Sequence, residues 1–367
     1  MWTVVLFIVV LGVIVLVHEL GHFTAARRFG MKVEEFGLGF PPRIGGIRRK
    51  GTLYSLNWIP VGGFVKIKGE DGSQTSENDS FASRPIWQRG IVLAAGVIMN
   101  IVLAFVLLTV GFSIGLPTVV DESLPAESIR ELKVQILGVE PGTPAAEADL
   151  QLGDEIVAID GEEVTSVAQV QDLNSDRVNE EVSLTISRFG DEIEKNITLA
   201  DLDGSGNGKM GVSLAETGVV SYPWYQSIWL GFKSTFNLLW AIILAFYTII
   251  KGLFVGQPIP ADLSGPVGIA VMTGQVAQLG FVYLMQFTAV LSLNLAILNF
   301  IPFPALDGGR FLFLVIEKIK GSKINQRTEA LIHNIGFAVL MILVLLVTFR
   351  DIGKFSDSIT GFFKGLF

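Results

Sequence analysis

The sequence predicts a mainly α-helical, polytopic membrane protein with four transmembrane helices, a membrane-associated β-hairpin region and one inserted β-rich domain. Two observations carry this prediction. Of 367 residues, half are hydrophobic and only 17% are charged, and the mean hydropathy is +0.55; soluble domains carry about a quarter charged residues. The apolar residues are also gathered into long runs, whereas Pro117 to Tyr222 is acidic, turn-rich and alternates apolar with polar residues.

Four runs are long enough to span a bilayer. They extend from about Trp2 into the His18–His22 stretch, from Ile91 to Leu116, from Phe281 to Ile301 and from Leu331 to Phe349. The first lacks a basic leader and a small-residue cleavage site, so it is read as a retained helix. A fifth stretch, Trp224–Val255, is rich in aromatics and carries Lys233 and Lys251. It is expected to lie along the interface or to re-enter without crossing. The resulting divisions are a membrane half at 1–116, a β-rich domain at 117–222 (core about 133–215), the interfacial segment at 223–280 and a second membrane half at 281–367. Within the β-rich domain, Val134–Ile136, Glu155–Ile159 and Val182–Ile186 read as strands.

Charge sets the expected orientation. Residues 23–90 hold eleven Lys/Arg against six Asp/Glu, and 308–330 hold five against two. Residues 117–222 hold six Lys/Arg against twenty-two Asp/Glu. The positive-inside rule places the first two segments in the cytoplasm and the β-rich domain outside. If 224–255 crossed as well, the basic 308–330 loop would fall outside, so parity favours a non-crossing segment.

Composition also excludes chemistry. There is no cysteine, which removes disulfides, iron–sulfur clusters, thiolate metal sites and cysteine nucleophiles. A net charge of −8 offers no surface for nucleic acid. A metal must use His, Asp, Glu or water, and the histidines are His18, His22 and His333.

Two of these stand in His18-Glu19-Leu20-Gly21-His22, at the end of the first apolar run. A spacing of four puts both imidazoles on one helix face, able to bind one ion. Glu19 can act as general base toward a metal-bound water. Zinc suits imidazole and carboxylate ligands. The plainer reading is a pair of helix-end histidines near the headgroups. A catalytic zinc site needs a third protein ligand, which leaves His333 or a carboxylate. Asp307 closes an apolar run in Asn299-Phe300-Ile301-Pro302-Phe303-Pro304-Ala305-Leu306-Asp307-Gly308-Gly309, where prolines break the helix. It is the preferred candidate; as a bare helix cap it would bind nothing.

Together, HELGH and the Asn299–Gly308 run resemble the site-2 protease family, and within it the bacterial branch that cleaves anti-sigma factors. Pro60-Val61-Gly62-Gly63-Phe64-Val65-Lys66 and Ser264-Gly265-Pro266-Val267-Gly268-Ile269 match further segments of that branch. The resemblance covers nearly the whole chain. It implies one zinc per chain, held by His18, His22 and Asp307, with Glu19 activating water. It implies that Asn294 and Asn299 steady the substrate or the oxyanion. It also implies that Gly63, Phe64 and Val65 form a strand edge that pairs with unwound substrate. Relatives commonly have Gly-Pro before an Asn in the second span; here the run is Gly96-Val97-Ile98-Met99-Asn100, without the proline.

The acidic insert resembles a PDZ domain through Val139–Leu150, Leu152–Ile156 and Ile159–Gly161. In permuted form, its carboxylate-binding loop would fall at Gly211, Val212 and Ser213. A steric filter against bulky substrates is the other reading of this domain. The function expected is an intramembrane zinc endopeptidase in a bacterial inner membrane. Its substrates would be single-span membrane proteins first trimmed by a site-1 type protease, and membrane lipid would surround it. A PDZ-bearing scaffold and a metal transporter are the alternatives. A transporter would spread polar residues along a path, whereas here they gather at one depth.

Overall fold

A computed structural model describes residues 2–72, 76–120, 129–256 and 265–354. The chain forms two compact units. One comprises 1–108, 230–277 and 284–367; the other comprises 109–229 and 278–283.

In the first unit, α1 (Trp2–Arg28) is about 40 Å long at 1.5 Å per residue, more than the roughly 30 Å of a bilayer core. Two long antiparallel strands follow, β1 (Val33–Arg49) and β2 (Thr52–Ile67). Each bends and pairs twice, so they make a sheet of four segments. Residues 43–49 pair with 52–57, 52–57 with 33–38, and 33–38 with 63–67. Segment 63–67 is therefore an outer edge. Gly62, at φ +90°, precedes this edge segment, in backbone space that favours glycine. After β2, Lys68 donates to Asp79 at 2.8 Å and also to Glu77. These bonds hold its ammonium above the usual lysine range.

Helix α2 (Ile86–Ile114) runs antiparallel to α1, because Val92 meets His22 and Asn100 meets His18. A shared apolar cluster of Ala26, Met31, Val33, Ile67, Val92, Leu93 and Leu314 locks α1, α2 and the sheet together.

The second unit contains the expected β-rich domain. Its elements are β3 (Leu116–Val119), β4 (Ile129–Val139), α3 (Pro144–Glu147), β5 (Glu155–Ile159), β6 (Glu162–Glu163), α4 (Val167–Asn174), β7 (Glu181–Arg188), β8 (Asp191–Thr198) and β9 (Val212–Val220). The sheet order is β3-β9-β4-β5-β7-β8, with β6 on β5. All three strands expected from the sequence lie inside β4, β5 and β7. Their inward residues, Ile136, Ile156, Ile159, Leu184 and Ile186, are each at most 1% exposed and form the core. The buried carboxylate of Asp154 accepts Arg188 Nε at 2.8 Å and the Gln151 amide at 2.8 Å.

The remaining helices are α5 (Trp224–Val255), α6 (Pro266–Leu279), α7 (Phe281–Phe300), α8 (Asp307–Lys320) and α9 (Gln326–Lys354). Each of the four runs expected to span the membrane falls on a long helix, though Leu116 and Ile301, the ends given to the second and third runs, lie just beyond α2 and α7. A count of four is not what length and composition alone return. Five helices among the described residues pass that test, and the fifth is Trp224–Gly252, with the lowest mean hydropathy of the five at 1.5. Its aromatic and Lys content lowers the average without breaking the helix. Ser264 lies outside the described residues; the rest of that motif opens α6. There Asp351 of α9, 1% exposed, accepts the backbone amides of Gly265 at 3.1 Å and Gly268 at 2.7 Å. Free amides of a first helical turn are thus satisfied by a side chain from another helix.

Candidate metal centre

On α1, the Nε2 atoms of His18 and His22 face each other at 3.2 Å. Asp307 Oδ2 lies 3.1 Å from the first and 3.2 Å from the second. Both histidines are buried, at 5% and 8% exposure. Ligands bound tetrahedrally at about 2.0–2.1 Å stand roughly 3.3 Å apart. Two imidazole nitrogens and a carboxylate oxygen, converging at that spacing, match the donor set and the geometry of zinc.

Local sequence delivers Asp307 to this point. The chain leaves α7, turns through Pro302 and Pro304, and starts α8 at Asp307. Gly308 and Gly309 let the new helix pack on the carbonyls of Phe300, Ile301 and Phe303, where a Cβ has no room. Ala305 takes φ +82°, and its amide donates to His333 Nδ1 at 2.9 Å. His333 thus holds the loop, and Asp307 meets the other two histidines. No side-chain cap closes the start of α8; Asp307 is directed at the imidazoles instead.

Helix α2 supplies the surroundings. His22 Nδ1 donates to the Val92 carbonyl at 2.8 Å, which leaves its Nε2 as a lone pair. One turn on, Gly96 leaves room for the rings: a Cβ there would stand 2.7 Å from His18 Cε1 and 2.8 Å from its Nε2. Asn100, one further turn on, approaches His18 Nδ1 at 3.4 Å.

Glu19 faces the sheet edge. Its Cγ lies 3.6 Å from where a Cβ on Gly63 would sit. Gly63, Phe64 and Val65 therefore run alongside the HELGH helix, with Phe64 stacked on Phe40. Of the two asparagines, Asn299 reaches the centre, with Nδ2 3.4 Å from His18 Nε2. Asn294 donates to Val290 O at 2.9 Å within its own helix, so the structure does not bring its amide to the donors. In the second unit, Gly211, Val212 and Ser213 line a groove of about 960 Å³ together with Val170 and Asn174 of α4.

Sequence reading missed the roles of Val92 and Gly96. The signal was present in part, since 92, 96 and 100 repeat at helical spacing on one face. The Val92 contact uses a backbone carbonyl and leaves no trace in residue type.

Residues 6–343 match the family described as Peptidase family M50. The chain is 34% identical over 363 residues to a putative zinc metalloprotease of Fusobacterium nucleatum, covering 96% of this chain and 99% of that one. It is 33% identical to the regulator of sigma-W protease RasP of Bacillus subtilis, covering 96% and 98%. A solved PDZ domain of an SdrC-like protein from Listeria innocua aligns at 28% identity over 22% of this chain and 92% of that domain, with a TM-score of 0.21.

Proposed function

Because the chain belongs to peptidase family M50 and is a membrane-embedded zinc metalloprotease, we propose that it cleaves peptide bonds within the membrane-spanning segments of single-span proteins. Anti-sigma factors trimmed beforehand by a site-1 type protease, and remnant signal peptides, are the substrate classes that fit. The observation carrying this reading is that His18 and His22, on a helix long and apolar enough to cross a bilayer, meet Asp307 at the start of α8, just after a second such helix.

In this reading His18, His22 and Asp307 hold one zinc per chain. The ion supplies Lewis acidity toward the scissile carbonyl and acidifies water. Glu19 takes the proton from the attacking water and passes it to the leaving amine nitrogen. The Asn299 amide is placed to donate to the developing oxyanion, and Asn294 could join only by giving up its bond to Val290. The 63–67 edge receives the substrate as an added strand, which unwinds it and shows its carbonyl to the centre. Ile47 and Trp58 of the sheet are 74% and 68% exposed, as an element in contact with lipid would be.

The 133–215 core lies outside the cytoplasm, and HELGH near the cytoplasmic face, by the charge balance given above. Segment 224–255 then lies along the outer interface. In support, α2 runs back toward the N-terminal end of α1, and α6 returns there too, with Gly274 packed on Thr3. The domain acts either by holding a chain-terminal carboxylate at Gly211, Val212 and Ser213 or by excluding bulky substrates.

Glu19→Gln in purified protein, tested on a model transmembrane substrate, decides the chemistry. Cleavage should fall by about 10²–10⁴-fold with zinc retained; unchanged cleavage would eliminate the mechanism.

A further inference from the structure

Val92, Gly96 and Asn100 stand four residues apart on α2 and face the two imidazoles as one stripe. Val92 gives His22 Nδ1–H its acceptor, and Gly96 gives the rings their space. Asn100 is fully buried, at 0% exposure. Its backbone carbonyl accepts Ser292 Oγ at 2.9 Å, which ties this turn of α2 to α7. Its side-chain nitrogen lies 3.4 Å from His18 Nδ1, and its Oδ1 has no partner.

His18 presents Nε2 to Asp307. A neutral imidazole that offers Nε2 as a lone pair carries its proton on Nδ1. That buried N–H needs an acceptor. The two ends of an asparagine amide are alike in size and shape. Turning the Asn100 amide by half a revolution places Oδ1 against Nδ1–H and satisfies both groups at once.

We propose that Asn100 is a positioning residue of the metal centre: its Oδ1 accepts the Nδ1–H of His18 and so holds Nε2 toward the ion, as the Val92 carbonyl does for His22. This rests on His18 being a ligand, as proposed above. Each histidine then owes its tautomer to the same face of α2, one through the backbone and one through a side chain. Partners of this kind fix ring orientation and raise ligand basicity.

Zinc affinity of the full-length protein in detergent, measured by competition with a chromophoric chelator, tests this. Asn100→Ala should weaken zinc binding by about 10–100-fold. Asn100→Asp, which keeps an acceptor and loses the donor, should bind as tightly as the parent or more tightly. Asn100→Ala with parental affinity, or Asn100→Asp as weak as Asn100→Ala, overturns the proposal. His18→Ala serves as the reference: if it binds zinc like the parent, the ligand assignment itself falls. If His18→Ala loses zinc and Asn100→Ala does not, only the role of Asn100 falls. Should Asn100→Ala fail to fold, long-range ¹H–¹⁵N spectra of the parent protein loaded with zinc suffice, since there are three histidines to assign. A proton on Nδ1 of His18 is expected; a proton on its Nε2 overturns the proposal.

Discussion

Glu19 stands against Gly63 of the sheet, its Cγ 3.6 Å from where a Cβ on that glycine would sit. This contact joins the acid of the HELGH motif to the edge of the four-segment sheet, since among the described residues 63–67 pair with 33–38 alone. A peptide strand laid along that edge arrives beside the carboxylate.

Proline at 65 removes a backbone amide of that edge, and proline at 64 disrupts the same edge. Val65→Pro and Phe64→Pro are each expected to lower cleavage of a transmembrane substrate by about 10²-fold, the scale of a misplaced reacting group. Zinc content, read by elemental analysis of the same preparations, should stay at the parental level. Normal cleavage by both variants would rule out the edge as the substrate's seat.

The two candidates for third ligand separate cleanly by substitution. Asp307→Ala should lose zinc, because a catalytic site of two histidines is incomplete. His333→Ala should keep zinc but lower thermal stability by about 1–3 kcal/mol, because the half-buried Ala305 amide loses its acceptor. Zinc lost from His333→Ala and kept by Asp307→Ala would reverse the assignment.

Gly96→Ala places a methyl group within 2.8 Å of His18 Nε2, so the rings or the helices must shift. We expect zinc binding and activity to fall together. Gly12→Ala on α1, where nothing lies within 4 Å, should leave both unchanged. Equal behaviour of the two variants would show that the crossing of α1 and α2 tolerates a wider spacing.

Asp351→Ala should free the amides of Gly265 and Gly268 and destabilise the protein by about 1.5–3 kcal/mol, the range for a bond to a charged group. Asp351→Asn, which keeps one acceptor, should cost less. Hydrogen exchange at residues 265–268 reads the effect locally. Exchange unchanged in Asp351→Ala would show that another group satisfies these amides.

Arg188→Ala leaves the Asp154 carboxylate, 1% exposed, without its cation. A cost of about 3–5 kcal/mol is expected, confined to the β-rich domain. Limited proteolysis should then cut within 133–215 while zinc content holds.

Much of this was legible in the sequence, because the decisive residues are ionisable groups in apolar surroundings. His18, Glu19, His22 and Asp307 stand out for that reason, and the three strands stand out by alternation. What stayed hidden depends on geometry that residue type does not encode. The choice between Asp307 and His333 turned on a backbone loop, since both lie near helix starts in the last third of the chain. The double pairing of β1 and β2 turned on where each strand bends. Asn294 and Asn299 look alike in the sequence, yet their different angular positions on α7 send one amide to Val290 and the other to the centre. The span count was blurred at α5, because an amphipathic helix of 32 residues satisfies length and hydropathy whether it crosses or lies flat.

Asp307 stands 289 positions after His18, and this bears on when the enzyme can switch on. In the reading proposed above, a ribosome has made more than four-fifths of the chain before the last ligand exists. Until then an unfinished chain carries Glu19, His18 and His22 but, on that reading, no complete cage for the ion. On that reading the centre cannot be assembled until synthesis of the chain is nearly finished.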